Sequence, residues 1–155
     1  MKPIHLAYTA AQRLRVAWRR ALQVRTRGVK AVVLRGDAVL LIRHSYQLPD
    51  LYMLPGGGVD RGETYVQAGI REVREETGCR LNDVRVHGAF ISNNEGWPDH
   101  ITVVVGTTSD TPLADGRELL EATFFPLDAL PANVSAASLR RVVEVRDNLP
   151  PADTW

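Results

Sequence analysis

The sequence predicts an α/β domain, and three observations carry that expectation. Short runs of β-branched and apolar residues recur at 29–34, 38–42, 84–92 and 101–107, which is strand patterning. A helical apolar stripe spans 64–78 between the second and third runs, and another spans 135–147. The chain has 155 residues, 45% of them hydrophobic and 24% charged, so it is one domain in size and able to bury a proper core.

The chain opens on a basic arm, residues 1–28. Residues 1–30 hold eight Lys/Arg and no Asp/Glu, so the remainder carries eleven basic against eighteen acidic side chains, although the net charge is only +1. Residues 9–23 read as a helix with Leu14, Trp18, Ala21 and Leu22 on one stripe and Arg13, Arg15, Arg19 and Arg20 around the rest. An Arg-rich, acid-free helix suits a membrane surface, a nucleic acid or a transit peptide. With only four apolar anchors, packing on its own domain or on a second copy in a homodimer is the favoured reading. No run approaches the eighteen apolar residues of a membrane span, and the opening lacks a signal-peptide core. One cysteine, Cys79, excludes an internal disulfide and fits a reducing, cytoplasmic setting, with the thiol as a small buried hydrophobe.

The main domain is read as 29–147. Arg35-Gly36-Asp37 separates the first two runs as a hairpin turn. Arg43 and His44 end the second strand; Arg43 is the candidate substrate contact, and His44 reads as an exposed strand end. Residues 51–54 lead into a glycine loop. Further on, residues 93–100 form a loop long for a hairpin, and long ordered loops are often functional. There two readings stand side by side: Trp97 stacks on a base of the substrate, or it folds back onto the body of the domain and the loop is plain surface. In the closing helix Leu139, Val142, Val143 and Arg146 share one side, and residues 148–155 read as a loose tail.

The most informative stretch is 57–79. Gly57 is followed after five residues by Glu63, then after seven by Arg71-Glu72-Val73-Arg74-Glu75-Glu76-Thr77-Gly78-Cys79. Thr64 is a candidate N-cap, with Gln67 completing a capping box, and Gly78 suits the left-handed residue that ends a helix. Val66, Ile70, Val73 and Thr77 fall on one stripe, while Glu72, Glu75 and Glu76 share the other side. Such like charges cost a helix about 0.2–0.5 kcal/mol per pair in water. A cation removes that repulsion, and a hard ion such as Mg²⁺ prefers oxygen ligands.

This stretch is similar to the signature box of the Nudix hydrolases, and the resemblance covers roughly 29–147. It implies an α/β/α sandwich: a mixed sheet between the box helix and a C-terminal helix. It also implies Mg²⁺-dependent (or Mn²⁺-dependent) hydrolysis of a diphosphate linkage in a nucleoside diphosphate joined to another moiety X, of nucleotide or nucleotide-sugar type. Under the resemblance Glu75 and Glu76 bind metal with the Gly56 carbonyl. Glu72 binds metal or takes a proton from water, and Glu63 pairs with Arg71 to hold the loop on the helix. Gly57 and Gly58 admit the substrate, and Glu121, ahead of Glu118, completes the metal set. Tyr52 and Phe124 stand where members often have Trp. Two alternatives accompany this reading: a non-catalytic nucleotide-binding Nudix module, and an RNA 5′-end pyrophosphohydrolase served by the basic arm. A small nucleotide derivative is preferred over nucleic acid as the partner.

Overall fold

The computed structural model describes residues 26–46, 50–92, 98–116 and 118–155. The helix expected over 9–23 and Trp97 therefore lie outside the described residues. The described strands are β1 (Thr26–Arg35), β2 (Ala38–His44), β3 (Asn82–Ser92), β4 (Asp99–Thr107) and β5 (Leu119–Pro126). They form one sheet in the order β3-β4-β1-β2-β5. β1 and β4 are parallel, and the other pairs are antiparallel. The four strands expected from the apolar runs are present. β5 is an addition, from a segment whose alternation is broken by adjacent Leu and Phe pairs.

Alternation along the central strands sends side chains into two cores. Val29, Ala31 and Val33 of β1, with Leu40 of β2 and Val104 of β4, face helix α1 (Tyr65–Thr77) through Ala68 and Val73. Val32, Val39, Leu41, Val103 and Val105 face the other way, toward helix α2 (Ala136–Arg146) through Val142. β1 and β4, parallel and covered on both sides, read as nearly unbroken apolar runs for that reason. The fold is the expected α/β sandwich, a mixed five-stranded sheet with a helix on each face.

The helix ends form as their residues dictate. The Thr64 hydroxyl accepts from the Gln67 N–H, the Gln67 side chain accepts from the Thr64 N–H, and Gly78 closes α1 at φ 76°. Cys79 is fully buried in the α1-side core.

Two expectations are corrected at the C-terminus. Leu139 is 41% exposed, whereas Arg141 is 0% exposed and Glu144 is buried beside it. The Arg141 guanidinium donates to Glu144 at 2.6 Å and lies 3.9 Å above the Phe90 ring. Nor is the tail loose. Arg141 donates to the Thr154 carbonyl at 3.0 Å, and Ala152 N–H donates to Glu144 at 3.0 Å. Arg140 donates to the Trp155 carbonyl, and Trp155 packs into the α2-side core. A buried charge needs partners, and the tail supplies some of them.

Candidate active site

β1 and β2 pair directly only beside their turn, at Leu34–Val39 and Arg35–Ala38. Beyond that the strands part, and residues 53–58 enter the gap. Met53 exchanges two 2.9 Å hydrogen bonds with Ile42, while Ala31 N–H donates to the Pro55 carbonyl and Val29 N–H to the Gly57 carbonyl, both at 2.9 Å. The glycine loop is thus fixed to the sheet from both sides. Gly56 has φ 141°, and a Cβ there would stand 2.1 Å from the Val29 carbonyl oxygen. At Gly57 a Cβ would meet the Glu72 carboxylate at 2.6 Å. Loop backbone and helix carboxylate can approach this closely only because both residues lack a side chain.

Arg71 gathers the site. Its Nε and one terminal nitrogen grip Glu63 at 2.9 Å each, a bidentate pair. The same nitrogen donates to the Gly58 carbonyl at 2.9 Å, and the other reaches Glu72 at 2.8 Å and Glu75 at 3.2 Å. These bonds, to Glu63 first and Glu72 second, raise the Arg71 pKa, and the bond from Arg71 lowers that of Glu63. The expected Glu63–Arg71 pair is therefore present and extends to two further glutamates.

Glu76 stands apart from that grip. It accepts from the Gly56 N–H at 2.8 Å and is only 18% exposed. Burial pushes its pKa up to about 7, opposed by Lys30 and the Gly56 N–H and reinforced by Glu72 and Glu118. His44 lies 3.6 Å away with 6% exposure, and burial, then Lys30, pushes it down to about 4. The exposed strand-end reading of His44 is thus corrected: a register shift between Arg43 and His44, where β2 meets β5, accompanies its inward position. Lys30, which the strand pattern conceals among apolar neighbours, donates to the carbonyls of Leu54 at 3.2 Å and Gly56 at 3.3 Å. Its pKa is lowered by burial, against the pull of Glu76, Glu72 and Asp99. A lysine inside an otherwise sealed strand is the signal that sequence reading passed over.

Glu121 does not join this cluster. It pairs with Arg43 across β2 and β5, on the face that carries Leu41 and Phe125 toward α2. There it accepts from the Tyr52 hydroxyl at 2.6 Å and pairs with Arg43 at 3.3 Å. Arg43 is held further by Asp50 at 2.7 Å. Within this segment Glu118, not Glu121, acts electrostatically on Glu76.

The donor set suits a hard divalent ion, being all oxygen: the carboxylates of Glu72, Glu75 and Glu76 and the Gly56 carbonyl. Among the described residues no three His, Cys, Asp or Glu side chains are gathered tightly enough to enclose an ion as they stand. Arg71 holds two of the carboxylates and Gly56 the third. The fit therefore lies in the chemistry of the donors, three carboxylates on one helix face beside a loop carbonyl, all hard oxygens.

Comparison with known proteins agrees with this geometry. The NUDIX domain description matches residues 24–144. An NAD-capped RNA hydrolase NudC of Pseudomonas aeruginosa (strain LESB58) is 33% identical over 116 residues, covering 71% of this chain and 39% of that protein. A putative mutator protein MutT4 of Mycobacterium tuberculosis (strain CDC 1551 / Oshkosh) is 36% identical over 110 residues, covering 64% of this chain and 42% of that protein. The chain thus spans about two fifths of the length of these curated relatives. Among solved structures, a MutT NUDIX hydrolase from Burkholderia pseudomallei superposes with a TM-score of 0.68 at 26% identity, covering 78% of this chain and 97% of that one. The box gathered on Arg71, the mixed sheet between two helices and the extent of the domain match together show that the chain belongs to the Nudix family of pyrophosphohydrolases.

Proposed function

We propose that the protein hydrolyses a diphosphate linkage in a nucleoside diphosphate joined to a second moiety X, with Mg²⁺ or Mn²⁺ in the site. The observation that carries the reading is the gathering of Glu63, Glu72, Glu75 and the Gly58 carbonyl on one guanidinium, with Glu76 fixed on the adjoining loop. Glu75, Glu76 and the Gly56 carbonyl would hold the ion, joined by Glu118 rather than Glu121, which pairs with Arg43 on the other face of the sheet. When bound, the ion neutralises diphosphate oxygens and acidifies water. Glu72 accepts the water's proton as the new P–O bond forms and the bridging P–O bond breaks. Arg71 and Glu63 keep loop and helix in register. Gly57 and Gly58 leave room for the diphosphate, and Trp97 meets the moiety beyond it. Arg43 contacts substrate only if it leaves Asp50 and Glu121.

Sugar nucleotides, dinucleotides and nucleoside triphosphates, each supplied with Mg²⁺ and with Mn²⁺, test this by chromatography of the products. Glu76→Gln keeps the side chain's size and removes a ligand charge. It is expected to cut turnover at least on the order of a hundredfold and to flatten the Mg²⁺-dependent rise in melting temperature. Retention of both turnover and the metal-induced shift by this variant defeats the reading.

A second reading places the diphosphate at the 5′ end of an RNA. It is favoured by the names of the NudC relatives and by the eight basic residues of the acid-free segment 1–30. Phosphate contacts release counterions, so RNA affinity should fall steeply with salt. Deleting residues 1–24 should then flatten that dependence and leave turnover of a small substrate intact.

A further inference from the structure

Lys30 occupies a position that a lysine would not ordinarily take. Its neighbours Val29, Ala31, Val32 and Val33 are 0–1% exposed. Its ammonium turns to the loop wedged beside β1. Pro55 and Gly57 direct their carbonyls to β1 N–H groups, while the carbonyls of Leu54 and Gly56 go to Lys30 Nζ. Gly56 is consequently held at both ends: its carbonyl accepts from the Lys30 ammonium, and its N–H donates to a Glu76 carboxyl oxygen. Glu72 and Glu76 both lie within the ammonium's field.

We propose that Lys30 is a resident cation of the metal site, a positioning residue that holds the Gly56 carbonyl, offsets part of the Glu72 and Glu76 charge, and thereby weakens the binding of a divalent ion. The inference rests on the metal reading given above. A purely structural lysine would supply two hydrogen bonds to the loop and nothing more. A resident cation adds a positive charge that any incoming ion must meet, on a carbonyl that is already engaged. The carboxylates then stay ordered before the ion arrives, and the ion that binds remains exchangeable.

The test is Mn²⁺ binding, followed by the electron paramagnetic resonance of the free ion, together with melting of each protein in EDTA. Lys30→Gln retains a donor for the two carbonyls and removes the charge. It is expected to bind Mn²⁺ roughly tenfold more tightly, since a unit charge a few ångströms from a divalent ion is worth at least that even in a polarisable site. Lys30→Met should show the same gain and melt lower than Lys30→Gln in EDTA, because both carbonyls lose their donor. Lys30→Arg restores the charge and should bind as the parent does. Parental or weaker Mn²⁺ affinity in Lys30→Gln overturns the proposal while leaving the metal reading in place. If the parent shows no Mn²⁺ binding that Glu76→Gln removes, the metal reading falls and Lys30 falls with it.

Discussion

Arg71 shows how much of the site depends on the shape of one side chain. It forks onto Glu63 while its remaining donors reach Glu72, Glu75 and the Gly58 carbonyl. An ammonium cannot reproduce a planar fork. Arg71→Lys should therefore lower stability by about 1–3 kcal/mol in urea unfolding and depress kcat more than it raises KM. A different constraint governs Glu76 and His44. Burial is the first cause of both shifts, so between about pH 4 and 7 their 3.6 Å contact joins two neutral groups. Glu76 is raised from 4.5 to about 7, so its contribution is present below pH 4.5 and lost as pH rises through 7. His44 is depressed from 6.5 to about 4, so its contribution is present above pH 6.5 and lost as pH falls through 4. The two slopes oppose, at about 3 kcal/mol each. The metal-free parent should be nearly flat in stability across this window. Glu76→Gln removes one slope and should lose about 3 kcal/mol between pH 6.5 and 4. Urea titrations in EDTA at several pH values check this, and a flat profile for the variant would contradict the burial assigned to His44.

At the scale of elements, the loop wedged between β1 and β2 sets the distance from sheet to box helix. Its three glycines make different demands, which a series of alanine substitutions separates. In Gly56→Ala the new methyl meets the Val29 backbone at 2.1 Å, from φ 141°. Backbone cannot yield cheaply, so a loss of about 2–4 kcal/mol in stability is expected. In Gly57→Ala the obstacle is the Glu72 carboxylate at 2.6 Å, the far end of a flexible side chain. The fold should persist with a melting temperature near the parent's, while turnover drops because the carboxylate is displaced. Nothing lies within 4 Å of the position at Gly58, so Gly58→Ala should melt as the parent does. Calorimetry beside a turnover assay distinguishes the three, and equal losses at all three positions would refute the wedge.

For the whole molecule, the same sheet serves two purposes on its two faces. The α1 side carries the site, and the α2 side carries a buried ionic cluster closed by the chain's last residues. Arg141, Glu144 and His87 meet there, with Glu144 to His87 at 2.8 Å and the tail completing the set through Thr154, Ala152 and Trp155. Truncation after Leu149 strips those partners and exposes Phe90, which should cost about 2–4 kcal/mol. Turnover per folded molecule should be unchanged, since the tail's contacts lie across the sheet from the box. Thermal melting with an active-site titration measures both quantities. Lost turnover at full folding would place the tail in the site after all.

The sequence by itself determined the elements whose evidence is local. The caps of α1, the three helix carboxylates and the paired apolar runs all follow from spacing within a helix turn or along a strand, and the Glu63–Arg71 partnership followed from the resemblance to the Nudix box. Four of the five strands and both described helices were legible as apolar patterns, while the mixed-sheet sandwich that joins them was implied by the resemblance of the box to the Nudix signature. Only the tertiary structure decided which groups meet across elements. Lys30 and His44 meet the glycine loop and Glu76 because β1 and β2 part to admit that loop, which no periodicity records. Glu121 went to the opposite face because each step along a strand reverses the side chain, so its place depends on the β2–β5 register. Arg141 and Glu144 are buried although charged residues signal an exposed helix face, because the folded-back tail and Phe90 supply what water otherwise would.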